Sequence, residues 1–211
     1  MRRPAESFAD GIPQAAALRA TQLARRKRIV AAAMDLAAQG GYEAVQMRDV
    51  AARAKVALGT LYRYFSSKDQ LLAFTWTDWS QELQVHLWRH PLRGASHAER
   101  INDFVRRVTS ALEREPKLAS ALVKSMLSPD RSAEEPRKEV GAVMGRVVEE
   151  ELALLRPSDR EGIRDILGQV WYANLLLWVS GRIPASRLHE NMETACRLLI
   201  SHHEAPAAAR P

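Results

Sequence analysis

A chain of 211 residues, 46% hydrophobic and 27% charged, is long enough to bury a sizeable core and suits a small module joined to a larger domain. Its formal charge of +6 sits at one end, because residues 1–70 carry 12 Lys and Arg against 6 Asp and Glu while residues 71–211 carry 19 of each. That imbalance fits a phosphate-rich partner, whereas the lone Cys196 excludes an intrachain disulfide and fits a reducing cytoplasm, and neither a secretory opening nor a membrane-length apolar run is visible.

Taken in order, the chain reads as helices, with no convincing strand. Residues 1–18, with Pro4, Gly11 and Pro13 and no sustained period, read as a disordered arm. Over residues 19–39 an Ala-rich segment places Leu23, Ile29, Ala33 and Leu36 at helical intervals and ends at Gly40-Gly41, a natural C-terminal cap. Residues 47–55 and 58–64 form two short helices around a tight turn, with Val50, Ala54, Leu61 and Phe65 as the apolar residues that lock them onto the first helix. Ser67-Lys68-Asp69-Gln70 is a capping box that opens a fourth helix, whose apolar stripe is Leu72, Trp76, Trp79, Leu83 and Leu87.

The second part of the chain is punctuated as clearly. Ser96-His97-Ala98-Glu99 is another capping box, and Ile101, Phe104, Val105, Val108 and Leu112 form the stripe behind it. Pro116 suits the first position of a short helix reaching Met126, and residues 128–136 read as a loop. A helix with Val140, Met144, Val148, Leu152 and Leu155 runs to Pro157, after which Ser158-Asp159-Arg160-Glu161 caps the next. Between Ile163 and Val179 that next helix is apolar on nearly every face, so it must be covered on two sides. The last helix, residues 186–202, carries Leu188, Met192, Cys196, Leu199 and Ile200 on one stripe, where Cys196 is most simply a small buried hydrophobe and, more sharply, a redox sensor.

Two short helices around a turn, at the basic end, are a helix-turn-helix DNA reader. The second presents Thr60, Tyr62, Arg63 and Tyr64, which can donate to phosphate oxygens or touch base edges. One such helix sees only a few base pairs, so specificity calls for a homodimer that sets two readers about one helical turn apart on a palindromic operator of double-stranded DNA. The last two helices supply its seam through Leu175, Val179, Met192, Cys196 and Leu199, as a four-helix pairing on a two-fold axis; a single larger core without a dimer is the other reading.

The run Gly41-Tyr42-Glu43-Ala44-Val45-Gln46-Met47-Arg48-Asp49-Val50-Ala51, continued through Gly59-Thr60-Leu61-Tyr62-Arg63-Tyr64-Phe65 and Ser67-Lys68, resembles the TetR family of one-component transcriptional regulators, and within it the repressors of sterol-catabolism genes. Residues 77–160 match more loosely. The resemblance implies an all-α homodimer of about nine helices, in which an N-terminal three-helix DNA-binding domain, 19–66, precedes a C-terminal helical ligand-binding and dimerisation domain, 67–202, and a disordered tail, 203–211. It also implies a hydrophobic small-molecule effector that releases the protein from DNA. Carried onto this sequence, the family pattern makes Gln46 and Arg48 phosphate or base contacts, puts Thr60, Tyr62 and Tyr64 on the recognition helix with Ala57 and Gly59 as further DNA contacts at its start, gives Lys68 a phosphate, and lets Arg25, Arg26, Lys27 and Arg28 steer or reach a neighbouring groove. Lys55 stands at a turn position that is often Gly, and Ala57 where Ser or Thr commonly caps.

The larger domain is rich in bulky apolar groups. Trp76, Trp79, Phe104, Met126, Met144, Trp171 and Trp178 are candidate walls of an effector cavity, each also readable as plain core, with Asn174 as a polar anchor or as a hydrogen bond within the dimer seam. The sterol branch of the family implies an acyl thioester of coenzyme A, sterol-derived or fatty, with Arg106, Arg107, Lys124 and Arg146 available at a cavity mouth. The competing reading is a sequence-tolerant DNA binder with no effector. No nucleophile elbow, phosphate-cradling Gly loop or paired Cys points to an enzyme, no cofactor is implied, and His86 with His90 lacks an evident third metal ligand.

Overall fold

The computed structural model describes residues 11–203, with the side chains of 11–15, 86–88 and 202 outside the described residues. The expected arm therefore lies outside them as far as residue 10, as do residues 204–211 of the tail and the side chains of His86 and Leu87. Among the described residues the fold is all-α: α1 Gly11–Ala44, α2 Met47–Arg53, α3 Leu58–Tyr64, α4 Lys68–Arg89, α5 His97–Glu113, α6 Pro116–Met126, α7 Glu134–Glu151, α8 Pro157–Val179 and α9 Ala185–Ile200.

Residues 11–18 are helical, part of α1, where the sequence suggested an irregular arm. At the other end Gly41 takes φ 73° and ψ −162°, a break that only glycine adopts cheaply, and it falls where the Gly40-Gly41 stop was expected. Both capping boxes at α4 and α5 form: Ser67 Oγ accepts from Gln70 N at 3.0 Å, and Ser96 Oγ accepts from Glu99 N at 3.2 Å while Glu99 returns a bond to Ala95 N.

A third box fails. Pro157 takes the first position of α8 instead of the expected Ser158 cap, and Asp159 is engaged by Arg156 at 2.9 Å. The loop expected over residues 128–136 is also shorter: Asp130 caps a 3-10 turn, Arg131–Ala133, that runs directly into α7. Arg137 on α7 stabilises this corner by donating to the carbonyls of Met126, Ser128, Asp130 and Ala133.

The core is continuous from the small module to the large one. Val50, Ala54, Leu61 and Phe65 are buried as the sequence required, and Leu71, Leu72 and Trp76 carry the same core along α4. Contacts of α1 with α4 and α6, of α4 with α7, and of α9 with α5 and α8 then enclose the larger domain. The start of α4 thus belongs to both halves.

Candidate DNA interface and effector cavity

The turn between α2 and α3 is tight enough to demand unusual backbone. Lys55 adopts φ 54°, the left-handed region where glycine is cheaper by about 1–2 kcal/mol. Ala57 caps α3 through its carbonyl alone, which accepts from Thr60 N at 2.8 Å, with no side-chain bond. This leaves α3 fastened by Leu61 and Phe65 beneath and open above. Tyr62 is 49% exposed, Gly59 is exposed, and Thr60 and Tyr64 are half-buried at its flanks. A Cβ added at Gly59 would meet nothing within 4 Å, so packing inside the protein does not require glycine there.

Around the reader the cations divide into engaged and free. Arg48 is exposed near the start of α2, with Gln46 beside it donating to Glu43 O at 3.0 Å. Lys68 donates to Tyr42 O at 3.3 Å and lies 3.8 Å from the centre of the Tyr42 ring, an anchoring that leaves further ammonium donors for a phosphate. Arg28, expected to face a groove, donates instead to Ala54 O at 3.4 Å and ties α1 to the end of α2, while Arg25 is half-buried.

Within the larger domain a cavity of about 760 Å³ opens between α7 and α8. Five of the expected wall residues line it: Trp76, Phe104, Met126, Met144 and Trp171. Trp79, Trp178 and Asn174 do not. Asn174 is buried and spends its polar groups inside the protomer, donating to Val170 O at 2.8 Å and accepting from Asn191 Nδ2 at 2.6 Å. Sequence reading missed Val105, Val108 and Tyr172, together with Gly141 and Gly145 on α7 and Gly168 on α8, all of which line the cavity. The signal for the glycines was present, since a glycine pair one turn apart weakens a helix and needs a reason. At Gly145 the reason is contact: a Cβ there would come within 2.9 Å of Arg164 Cδ.

Three polar groups of the lining residues are shut away from the cavity space. Trp76 Nε1, Trp171 Nε1 and the Tyr172 hydroxyl are buried without a hydrogen-bond partner, and burial raises the Tyr172 pKa so that it stays a donor. Arg164 pairs with Glu149 and with Asp165, and all three line the cavity together with Arg146. Of the other cations expected there, Arg107 is held by the carbonyls of His90 and Pro91, and Arg106 and Lys124 are exposed away from the cavity lining.

The expected dimer seam needs correction. Leu175, Met192 and Cys196 are each at most 1% exposed within one protomer, where α8 and α9 pack on each other and α9 packs on α5. They are intrachain core. Val179 and Leu199 are half-buried, and the large apolar side chains of α8 and α9 left open are Ile166 and Leu198.

Comparison with known proteins bears on both halves. Residues 29–73 match the model of bacterial regulatory proteins of the tetR family, and residues 94–199 match the tetracyclin repressor-like C-terminal domain. The HTH-type transcriptional repressor KstR of Mycolicibacterium smegmatis is 37% identical over 88% of this chain and 91% of its own length. The chain belongs to the TetR family. KstR of Mycobacterium tuberculosis is 36% identical over 87% of this chain and 84% of that protein. Among solved TetR-family structures, a regulator from Rhodococcus sp. RHA1 superposes with a TM-score of 0.79 at 26% identity, covering 87% of this chain and 100% of the other. FadR of Thermus thermophilus, a TetR-family repressor solved with lauroyl-CoA, has a TM-score of 0.69 at 23% identity over 88% of this chain and 98% of its own, a likeness of fold. The TetR-type reader here differs at its turn, where Lys55 accepts the strain that glycine would avoid.

Proposed function

We propose that this protein is a homodimeric, DNA-binding transcriptional repressor of the cytoplasm that occupies a palindromic operator and leaves it when an apolar effector enters the cavity. The observation that carries this reading is the position of α4. Its first residue, Lys68, braces the reader against Tyr42, and about two turns later its Trp76 is part of the cavity wall. A ligand that moves Trp76 moves the support of the reader, and a state with the readers mis-spaced binds a two-site operator less well. Arg48, Gly59, Thr60, Tyr62, Tyr64 and Lys68 are the proposed DNA contacts.

The proposed effector is an acyl thioester of coenzyme A, sterol-derived or fatty. Similarity to KstR and the fold shared with a lauroyl-CoA-bound FadR support the class. Arg146, exposed among the lining residues, suits the anionic end, whereas Arg164 is already paired with Glu149 and Asp165.

In vitro selection of duplexes by the purified protein, followed by displacement with lauroyl-, stearoyl- and steroid-acyl-CoA, tests both parts. Recovery of a palindrome that is released by one of these thioesters is the expected result. Failure to enrich any sequence sinks the DNA reading, and failure of all the thioesters to displace the enriched duplex sinks the effector class.

A further inference from the structure

We infer that Arg164 is a clasp on the effector's way in: its pair with Glu149 holds α8 against α7 at one end of the opening between them, and release of that pair sets how fast a ligand enters and leaves. The inference rests on the cavity being the effector site, as proposed above, and adds the passage that serves it. Of the residues that line the cavity, the exposed ones are Gly141, Ala142, Arg146, Asp165, Gly168 and Gln169, and all six belong to α7 or α8. The cavity therefore reaches solvent between these two helices.

The fit of α7 against α8 changes within one turn. At Gly145 a Cβ would come within 2.9 Å of Arg164 Cδ and 3.2 Å of its Cγ, so the arginine stem lies against the bare backbone of α7. One turn away on each helix, at Gly141 and Gly168, a Cβ would meet nothing within 4 Å. The helices touch at the clasp and part beyond it. From this seat Arg164 reaches Glu149 on α7 while its Nη2 meets Asp165 of its own helix at 2.8 Å. Among the described residues this is the polar bridge from α7 to α8. Elsewhere α7 is tied to α4, where Gln81 Nε2 donates to Glu139 at 3.0 Å, and to α5, where Arg100 Nε donates to Glu151 at 2.7 Å. Both clasp partners are partly exposed, their side chains 30% and 41% accessible, and an ion pair that water competes for is weak enough to open unaided.

The test mixes the full chain rapidly with lauroyl-, stearoyl- or steroid-acyl-CoA, and separately with the apolar dye anilinonaphthalene sulfonate. Trp76 and Trp171 line the cavity, so tryptophan fluorescence reports arrival. Glu149→Gln breaks the clasp, and association and dissociation are expected to rise together by about two- to fivefold, the range spanned by one partly exposed ion pair. Removing a negative charge without opening a passage would instead speed the association of an anion and slow its dissociation. Gly145→Ala keeps every charge and pushes the Arg164 stem off α7, so it is expected to speed exchange in the same way. Gly141→Ala gains as much helix preference without meeting Arg164, and brings no faster exchange.

Unchanged rates in both Glu149→Gln and Gly145→Ala overturn the proposal. So do rates that move in opposite directions, or an equal acceleration in Gly141→Ala. A wild-type protein that takes up the dye but none of the thioesters removes the effector class, and the clasp is then decided by the dye rates of the same variants. One that takes up neither removes the passage together with the effector site.

Discussion

The Asp69 carboxylate accepts a hydrogen bond from the Tyr42 hydroxyl at 2.6 Å through one oxygen, and from Ser128 Oγ at 2.7 Å through the other. Tyr42 lies just past the Gly41 break of α1, and Ser128 follows α6, whose last residue, Met126, is in the cavity wall. One side chain at the start of α4 therefore joins the reader to the exit of a cavity helix. Burial and then the bond to Asp69 push the Tyr42 pKa up, which keeps the phenol a donor throughout the working range. Asp69→Asn preserves the shape but removes the charge and one acceptor oxygen. It is expected to lower stability by about 1.5–3 kcal/mol, the range for a bond to a charged group, and to weaken operator binding; denaturant melts and anisotropy titrations measure the two. Ser128→Ala is expected to keep operator affinity while requiring more effector for release.

Gly59→Ala separates folding from recognition because the two respond with opposite signs. A methyl group there meets nothing in the protein within 4 Å, and replacing glycine inside a helix gains about 0.5–1 kcal/mol. The same methyl group obstructs a surface through which α3 approaches the duplex. The variant is expected to melt slightly higher and to bind the enriched duplex at least tenfold more weakly. A stabilised variant with undiminished affinity would remove Gly59 from the interface.

Arg48 and Lys68 are expected to fail differently. Lys68 is a point charge already braced on Tyr42, suited to a phosphate, so Lys68→Ala should weaken all duplexes alike and flatten the salt slope. Arg48 is exposed with a planar fork that can meet the acceptor edge of guanine, so Arg48→Ala should also relax sequence preference, by about 1–3 kcal/mol of discrimination at one base pair. Competition between the enriched duplex and single-base variants checks this, and unchanged discrimination would assign Arg48 to the backbone.

The reader was legible in the sequence because local signals specify it: apolar spacing fixed Val50, Ala54, Leu61 and Phe65, and two capping boxes fixed the starts of α4 and α5. The cavity was legible only in part. Helical spacing says which residues share a stripe and not which neighbour covers it, so Trp76 and Trp171 fell on the wall while Trp79 and Trp178 packed elsewhere. For the same reason Leu175, Met192 and Cys196 became core within one protomer although their stripes were apolar enough for a seam. The bond that joins Asp69 to Ser128 spans distant parts of the chain and has no periodic signature at all.

Cys196 offers a reporter for that correction. It is fully buried within the protomer, and burial, with a smaller contribution from the Glu193 charge, pushes its thiol up to about 12. Reactivity follows the thiolate, so the native protein should resist alkylation in mildly alkaline buffer even when diluted to monomer, and react fully in denaturant. Rapid modification of the dilute native protein would contradict the intrachain packing of α9 and reopen a redox role.

Gly168→Phe tests the cavity without dismantling the core. Gly168 is exposed and lines the cavity from α8, and a Cβ built there meets nothing within 4 Å, so a ring at this position is expected to occupy open space at the edge of the cavity. Removing glycine from a helix interior offsets the exposure of the ring by up to about 1 kcal/mol, so the melting temperature should hold or rise. The Asp69 bonds and the reader lie on other helices, and operator affinity without effector should match the wild type. Occupied volume is what changes. Release by the thioester that displaces the wild-type protein should then need at least tenfold more ligand, read by anisotropy on the enriched duplex and by calorimetry on the protein alone. Normal release with normal calorimetric affinity would place the effector somewhere other than between α7 and α8.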